Sequence, residues 1–429
     1  MVIAKRFSYY VASKLAIVFG QFLLLPIAVA QLGVAGYGAY NLMLQGAMLI
    51  SLIALQAVAQ TIVREHELII REYGADGAYS NGLSIVAVSL LIASIIIIIL
   101  ADEIASQFRL SVKQVWLIIA MSLATSLIGL KQAIIFSSNF SAYCKSDVVQ
   151  PLSVIIFSIW IAVFFPSVET YAIVYTIATV IISIAMFRLR YKLKNLRGNL
   201  TKFAGLVRTY GLPLMLGEIF GWIISVSDRF QIAAQLDLVQ TGTYASAYQL
   251  FVMPIALLGV ATVMQSVVMS CNVDEYRARM EKSATLTFMI SCAYLLGVLL
   301  LGEYLFSTIF RGKMNIDLSF ILVLASAGVA YSFYHLELIS GKYARKTGVI
   351  LFAQACGGVV VLVGNWLLLP IMGIMAAAIT SLLAYILQVI ILRLMVDDIY
   401  HFRYFSFQSS IEILSRLSVY LLKLRKNIL

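Results

Sequence analysis

Residues 83–100 read LSIVAVSLLIASIIIIIL, an apolar run without a charged side chain. A bilayer core about 30 Å thick is crossed by roughly 20 helical residues, so a run of this length predicts a transmembrane helix. The whole chain is 62% hydrophobic and only 12% charged, which lies outside the usual range of soluble domains. With this run included, apolar runs are centred near Phe19, Ser51, Leu90, Leu123, Ile156, Val180, Gly221, Ala256, Ala293, Gly328, Val361 and Ala384. The sequence therefore predicts an all-α integral membrane protein with about 12 transmembrane helices.

The basic residues are distributed unevenly among the loops between these spans. Of the 31 Lys and Arg residues, about 25 fall on one side of the membrane, and two, Lys14 and Arg229, lie inside spans. The other side carries four, namely Arg109, Lys113, Arg311 and Lys313. Because basic loops are retained in the cytoplasm, both termini are predicted to be cytoplasmic. The same rule explains the net charge of +11, so we do not expect a nucleic-acid partner.

A long basic connection separates the sixth span from the seventh. Residues 188–208 carry seven Lys and Arg and no acidic residue. We predict a six-helix bundle over residues 1–190, a cytoplasmic linker over 191–209 and a second six-helix bundle over 210–396. In residues 397–429, apolar residues recur at helical spacing among basic ones, which predicts an amphipathic helix on the cytoplasmic surface.

The two predicted bundles contain matching segments after their first spans. Residues 30–45, AQLGVAGYGAYNLMLQ, and residues 234–249, AQLDLVQTGTYASAYQ, are identical at six of sixteen positions with a constant offset of 204. The match pairs Gly38 with Gly242 and Tyr40 with Tyr244, and it indicates a duplicated six-helix unit. An even number of spans gives both copies the same orientation. We therefore expect a pseudo-two-fold axis along the membrane normal, with a central cavity between the halves.

Four ionisable residues lie clearly inside predicted spans: Lys14, Glu218, Asp228 and Arg229. A charge in that position is costly unless it is paired or hydrated. Lys14 and Glu218 are separated by the repeat offset of 204, which places opposite charges at equivalent positions. Two interpretations are open, a ligand or coupling-ion site in the cavity and a static salt bridge between helices. Asp228 is expected to pair with a neighbouring helix.

Polar side chains extend the faces that carry these charges. The set comprises Gln21 on the first span, Asn41, Gln45 and Gln56 on the second, and Tyr244 and Tyr248 on the eighth. Amides and aromatic rings suit the hydroxyls and faces of sugars. Tyrosines near the ends of spans also act as interfacial anchors. We predict that these residues contact a sugar, with anchoring as the alternative for the tyrosines.

The sequence offers little that would support catalysis or metal binding. It contains three His and four Cys, without a Ser/His/Asp or Cys/His arrangement and without the spacing of metal ligands. We therefore expect a carrier and not an enzyme, with neither a metal nor a cofactor.

Three segments resemble a known family of membrane proteins. Residues 227–250 resemble the DR…GxYxxAYxL segment of polysaccharide exporters. Residues 32–40 resemble their LG…xYGxY turn, and residues 370–378 resemble their P…GxxGAA approach to the last span, with Met375 in place of the second Gly. The resemblance implies the fold of the multidrug/oligosaccharidyl-lipid/polysaccharide exporters, and within it the flippases of O-antigen or capsule repeat units.

The resemblance also implies a substrate and a location. The substrate would be an oligosaccharide joined through pyrophosphate to undecaprenol, moved across the bacterial inner membrane from the cytoplasmic to the periplasmic leaflet. Lys14, then Arg229 and Arg64, are the cations expected to contact phosphate. Glu218 is the expected site of a coupling proton or sodium ion, and Glu218 and Asp228 are assigned to a coupling-ion site or a charge pair. Membrane lipids, a glycan polymerase and a chain-length regulator are the implied partners.

Two other functions stay open. A multidrug or small-molecule exporter of the same fold would bind organic cations with acidic residues, whereas here Lys14 and Arg229 accompany Glu218 and Asp228. A membrane glycan polymerase or ligase is expected to carry a long periplasmic loop, and no predicted outward loop exceeds about fifteen residues.

Overall fold

The computed structural model describes residues 2–138, 164–185, 200–252, 271–314 and 316–412, together with scattered positions between 143 and 160 and at 268 and 415. Side chains are described from Leu23 onward, and all regular structure within these residues is helical. The helices are α1 Val2–Arg64, α2 His66–Ile99, α3 Ala101–Phe108, α4 Val112–Ser138, α5 Val168–Ala185, α6 Leu200–Leu206, α7 Leu212–Gln235, α8 Leu238–Phe251, α9 Val273–Phe310, α10 Leu318–Tyr343, α11 Thr347–Met372 and α12 Ile374–Met395.

Helix α1 contains two predicted spans that follow each other without a loop. A straight helix of its 63 residues would be about 95 Å long, roughly three times the thickness of a bilayer core. The helix instead bends at Gly33, where φ is 73° and ψ is 172°. Glycine adopts a positive φ without the strain that a side chain would bring. The first span therefore precedes Gly33 and the second follows it, while Pro26 stays inside the helix.

The described helices follow the predicted series of spans. In the described part of the chain, nine stretches are long and apolar enough to cross a bilayer. Spans 1 and 2 lie in α1, spans 3 and 4 in α2 and α4, spans 6 and 7 in α5 and α7, and spans 9 to 12 in α9 to α12. Span 8 begins in α8, and most of the spans centred near Ile156 and Ala256 lies outside the described residues. The chain is an all-α, multi-pass membrane protein, as predicted.

Apolar side chains cover the outside of the helices and polar side chains lie between them, as expected for a protein in contact with lipid. Large apolar side chains are exposed along the helices, among them Ile92 and Ile99 of α2 and Trp366 of α11. Polar side chains are buried between helices instead, because hydrocarbon offers them no hydrogen-bond partner. Ser126 of α4, for example, donates to Ser51 of α1 across 2.9 Å, and both side chains are buried.

Residue contacts divide the chain into two units. The first comprises Met1–Ser246, Ile309–Met314 and Val361–Ala377, and the second comprises Ala247–Thr308, Asn315–Val360 and Ala378–Leu429. In the first unit, α1 packs against α2, α4, α5 and α7. In the second unit, Tyr276 stacks on Tyr343 with ring centroids 4.1 Å apart, which joins the start of α9 to the end of α10. The predicted bundle limits at residues 190 and 210 stay a prediction.

The two matching segments meet at a pair of glycines in the first unit. A Cβ on Gly38 would lie 2.3 Å from the carbonyl oxygen of Leu238, and a Cβ on Gly242 would lie 2.1 Å from that of Val34. Gly38 and Gly242 are separated by the repeat offset of 204, and so are Val34 and Leu238. The contact is therefore reciprocal, which is the pattern produced by a two-fold axis passing between the glycines. This contact supports the predicted pseudo-two-fold relation.

Two loops at equivalent places in the repeats share a conformation. Arg109, after α3, and Arg311, after α9, have φ values of 57° and 51°. Residues other than glycine rarely adopt this left-handed region. Each arginine directly follows a phenylalanine at the end of its helix, Phe108 or Phe310. The shared turn agrees with the duplication inferred from residues 30–45 and 234–249.

The predicted linker and tail lie partly outside the described residues. Residues 191–199 are outside, and from Leu200 the predicted linker is helical, with α6 and a π-helical turn, Val207–Gly211, leading into α7. After α12 the chain returns to α9, where Nζ of Lys282 lies 2.8 Å from Oε2 of Glu412. Residues 407–412 are helical, and the rest of the predicted amphipathic tail lies almost entirely outside the described residues.

Candidate functional site

A buried pair of opposite charges lies in the second half of α7. Asp228 and Arg229 are both buried. Oδ1 of Asp228 accepts a hydrogen bond from the backbone N–H of Arg229 at 2.7 Å and lies 3.4 Å from Nη1 of the same residue. Nη1 also donates to the carbonyl oxygen of Ser225 at 2.9 Å. The two charges compensate each other where a lone charge would be costly.

Helix α8 supplies the third member of this network. The hydroxyl of Tyr244 is fully buried and donates to Oδ2 of Asp228 at 2.5 Å. The predicted partner of Asp228 on a neighbouring helix is therefore Tyr244. The hydroxyl of Tyr244 and the guanidinium of Arg229 are both engaged inside the protein in this conformation, so neither is presented to an open cavity. Their predicted contacts with sugar and phosphate stay predictions.

Helix α1 brings its polar face to the same network. Tyr37 lies near Arg229 and shares a side-chain hydrogen bond with Asn41, and both residues are buried. No described residue donates a hydrogen bond to Oδ1 of Asn41. A buried acceptor in this state is normally satisfied by water or by a ligand. The face that carries Asn41 therefore offers a buried acceptor for a hydrogen-bond donor, and its predicted contact with sugar stays a prediction.

The two residues predicted to pair across the repeats are only partly described. Lys14 and Gln21 belong to α1, but their side chains lie outside the described part of the chain. Glu218 lies on α7 and is exposed, whereas Arg229 on the same helix is buried. Residues eleven positions apart lie on the same face of a helix, yet these two have different environments. The pairing of Lys14 with Glu218 stays a prediction.

Arg64 lies at the end of α1, and so at the end of the second span. Its side chain is 57% exposed, and its Nε lies 3.5 Å from Oε1 of Glu65. The guanidinium also lies 5.0 Å from the ring centroid of Tyr210. Of the remaining predicted sugar contacts, Gln45 and Gln56 are half-buried and Tyr248 is buried.

A second charge pair, in which only the acid is buried, was missed by the sequence analysis. Glu337 of α10 is fully buried and accepts hydrogen bonds from the Tyr404 hydroxyl at 2.6 Å and from Nη1 of Arg393 at 3.2 Å. Nη2 of Arg393 donates to the carbonyl oxygen of Phe402 at 3.0 Å. Burial and the Glu337 carboxylate raise the pKa of Tyr404, so its hydroxyl keeps the proton that it donates. The cluster fastens the chain after α12 to α10.

The sequence carries a faint signal for this second pair. Glu337 is the only acidic residue in YSFYHLELIS, residues 331–340. An acidic residue in the middle of an apolar span suggests a functional site, but an acidic residue near the end of a span can simply be hydrated at the membrane surface. Its partners Arg393 and Tyr404 lie 56 and 67 residues further on, so no local spacing links them.

Aromatic and amide side chains form a polar interior in the second unit. The Tyr331 ring centroid lies 4.4 Å from that of His335 and 5.0 Å from that of Tyr385. Gln388 is fully buried, and neither of its amide atoms has a hydrogen-bond partner among the described residues. A polar group at this depth marks a place for water or for a polar ligand.

An apolar groove with a single cation lies beside α1 in the first unit. It has a volume of about 270 Å³, and its lining includes Ile53, Val58, Ile85, Leu212 and Arg208. Arg208 belongs to the π-helical turn before α7 and is exposed. Hydrocarbon walls with one guanidinium match an amphiphile that has an apolar chain and an anionic head.

The described residues offer these sites few metal ligands. They contain no group of three or more His, Cys, Asp or Glu placed to hold a metal ion. Cys271, Cys292 and Cys356 form no disulfide bond with one another. The chemistry available in the described sites is therefore that of amides, hydroxyls, aromatic rings and paired charges.

Comparison with protein families gives a match over most of the chain. Residues 27–314 match the family model described as "Polysaccharide biosynthesis protein". This range includes the glycine pair, the charge pair of α7 and Tyr244. No curated protein sequence is detectably similar to the chain.

Solved structures of the same fold are transporters. The lipid II flippase MurJ, in an inward closed conformation, matches with a TM-score of 0.72 at 15% identity, covering 98% of this chain and 92% of that chain. An inward-facing multidrug resistance MATE family transporter of the MOP superfamily matches with a TM-score of 0.67 at 15% identity, covering 91% of this chain and 98% of that chain. A Vibrio cholerae MATE transporter matches with a TM-score of 0.57 at 14% identity, covering 93% of this chain and 98% of that chain. Likeness at this identity establishes the fold and leaves the substrate to the site. The chain has the fold of these transporters and, as its three resembling segments predicted, it belongs to the polysaccharide biosynthesis protein family.

Proposed function

We propose that the protein is a flippase for an oligosaccharide linked through pyrophosphate to undecaprenol. It moves an O-antigen or capsule repeat unit from the cytoplasmic to the periplasmic leaflet of the bacterial inner membrane by alternating access. The observation that carries the proposal is a polysaccharide biosynthesis family match over residues 27–314 in a chain with the fold of a lipid II flippase. The family match supports a glycan as part of the substrate, and the fold of a lipid II flippase supports the movement of a lipid.

The described residues support a substrate with polar and apolar parts. Asn41 provides a polar group inside the protein, while the groove beside Arg208 provides an apolar surface. A head of charge near −2 gains roughly 4 to 5 kcal/mol on moving outward when the inside is negative by about 100 mV. Part of that free energy is available to reset the protein. A glycan polymerase and a chain-length regulator are the proposed partners that receive the substrate.

Deletion of the gene tests this function against its strongest rival. The flippase proposal requires lipid-linked repeat units to accumulate on the cytoplasmic leaflet and surface glycan to fall. Multidrug export is the second candidate, favoured by the MATE transporters that share the fold. In that case sensitivity to drugs would rise while surface glycan stayed unchanged, and the flippase proposal would be wrong.

Replacing Lys14 by alanine is expected to lower glycan export at least tenfold. The proposed reason is that Lys14 contacts the phosphates of the substrate inside a span, and a hydrogen bond to a charged group contributes about 1.5 to 3 kcal/mol. Surface glycan would be measured in the deletion strain carrying the variant, with membrane levels checked by immunoblot. Lys346→Ala is the matched control, because Lys346 pairs with Asp397 in a loop. Wild-type export by Lys14→Ala would remove Lys14 from the site.

We propose Glu218 as the residue that couples transport to a proton or sodium gradient, with Asp228 as the second candidate. Glu218→Gln keeps the shape of the side chain and removes its charge, so transport in proteoliposomes should lose most of its dependence on the ion gradient. Glu303→Gln, at an exposed acid of α9, is the control. If Glu218→Gln retained the full response to both gradients, Glu218 would not be the coupling residue.

A further inference from the structure

A basic pocket lies in the second unit, between the start of α9, the end of α12 and the chain that follows. Its volume is about 430 Å³, and its lining comprises Arg277, Glu281, Arg393, His401, Phe402 and Arg403. Three guanidiniums accompany one carboxylate, so the lining is positively charged. The loops that meet here are among those predicted to face the cytoplasm. An anion arriving from that side would meet this surface.

Two of the guanidiniums are fixed by the protein itself. Arg393 is held by Glu337 and by the carbonyl oxygen of Phe402, and its side chain remains 32% exposed. Nη2 of Arg277 donates to the carbonyl oxygen of Asp398 at 3.1 Å. A guanidinium has five N–H donors, so each retains donors for a ligand. Side chains held in place before binding lose little entropy when a ligand binds.

The third arginine adds N–H donors, and the histidine adds a ring nitrogen that other described side chains do not use. No carboxylate of the described residues lies within ion-pair distance of Arg403, which is exposed. Nδ1 of His401 lies 3.0 Å from Oδ1 of Asp398. Its Nε2 is buried and has no hydrogen-bond partner among the described residues. A buried polar nitrogen in this state is normally satisfied by a ligand or by water.

Retention of basic loops in the cytoplasm explains positive charge but not this arrangement. Neighbouring basic residues on the same helix are neutralised, since Arg279 pairs with Glu275 and Lys282 pairs with Glu412. Arg277, by contrast, has only a backbone carbonyl as its described partner. Of the three arginines that line the pocket, Arg277 and Arg403 therefore have no carboxylate partner among the described residues, while Arg393 pairs with Glu337.

We propose that this pocket binds a phosphate or diphosphate group. Planar guanidiniums bind phosphate oxygens in bidentate fashion, and Arg277 and Arg403, which have no carboxylate partner among the described residues, supply positive charge for such a group. The volume falls in the range of about 300 to 1,000 Å³ that is typical of small-molecule sites. Resting on the proposed function, this group is the pyrophosphate of the lipid-linked substrate, held at the membrane surface before transport. The head groups of bulk anionic lipids also carry phosphate, and they are the other possible source of the bound group.

Binding of inorganic pyrophosphate to the full-length protein in phosphatidylcholine nanodiscs tests the pocket. Calorimetry should show saturable binding that weakens at least tenfold in Arg403→Gln and in Arg277→Gln, and that weakens with added salt. Arg279→Gln is the matched control, because Arg279 lies on the same helix and does not line the pocket. Arg403 has no ion pair among the described residues, so its replacement should leave the folded protein intact. Absence of binding, or equal affinity in all three variants, would overturn the proposal.

Two further measurements are needed. One distinguishes the lipid-linked substrate from bulk lipid as the source of the phosphate, and the other tests the phosphate site independently of the proposed function. If undecaprenyl pyrophosphate displaces pyrophosphate and phosphatidylglycerol in the nanodisc does not, the pocket belongs to the substrate. If phosphatidylglycerol blocks the binding, the pocket belongs to bulk lipid and its link to the substrate is wrong. If gene deletion leaves surface glycan unchanged while pyrophosphate still binds, the proposed function fails and the phosphate site stands.

Discussion

Gly242→Val should prevent the protein from accumulating in folded form. A Cβ at Gly242 would lie 2.1 Å from the carbonyl oxygen of Val34 and 3.2 Å from the backbone nitrogen of Gly38. Both obstacles are backbone atoms, so no change of rotamer removes the overlap. Overpacking of a core costs about 1 to 3 kcal/mol when side chains can shift. Here the helices themselves would have to separate, so we expect a cost of about 3 kcal/mol or more. Fluorescence-detected size-exclusion chromatography of a tagged protein would measure the loss.

The reciprocal geometry provides a second variant and a control for this prediction. A Cβ at Gly38 meets the carbonyl oxygen of Leu238 at 2.3 Å, so Gly38→Val should be equally damaging. Gly297 lies in α9 with nothing within 4 Å of its Cβ position, and Gly297→Val should give a normal elution profile. Normal profiles for Gly242→Val and Gly38→Val would show that the two backbones do not approach each other in the membrane.

Asp228→Ala should destabilise the protein by about 3 to 5 kcal/mol, because it leaves the buried guanidinium of Arg229 without its countercharge. The same change removes the acceptor of the buried Tyr244 hydroxyl. Asp228→Asn should cost less, since an amide oxygen can still accept from Tyr244. Tyr244→Phe should cost about 1 kcal/mol, the usual contribution of one hydrogen bond. The thermal unfolding midpoints of the purified variants in detergent would rank them.

A matched surface variant and a double mutant show whether the loss of stability comes from the network of Asp228, Arg229 and Tyr244. Glu303 is an exposed helical acid, and Glu303→Ala should leave the midpoint of unfolding unchanged. In a double-mutant cycle, Tyr244→Phe should cost little once Asp228→Ala is present, because the two residues share one hydrogen bond. If Asp228→Ala were as stable as Glu303→Ala, the charge pair would not contribute to stability.

The sequence predicted those features that depend on length, periodicity and symmetry. Apolar length predicted the all-α membrane fold, and the offset of 204 paired Gly38 with Gly242 before the structure brought them into contact. The need of a buried charge for compensation predicted that Asp228 has a partner on another helix, and Tyr244 is that partner. These inferences succeed because bilayer thickness and helical rise act on each segment independently.

The features that the sequence did not reveal depend on contacts between distant segments. Glu337 binds Arg393 and Tyr404, and only the path of the chain after α12 brings these three together. The burial of Arg229 and the exposure of Glu218 depend likewise on which helices cover each turn of α7. Helical spacing places two residues on one face, but it does not determine what packs against that face.

The glycine pair also bears on how α8 can move against α1. Two backbones in direct contact have no side chains that rearrange to open or fill a gap, so their separation at this point is set by hard atomic radii. Changes in the angle between the helices remain possible, and they displace the distant ends most. The point where Gly38 meets Gly242 thus has the mechanical character of a pivot, and distances measured across it should stay constant while those at the helix ends change.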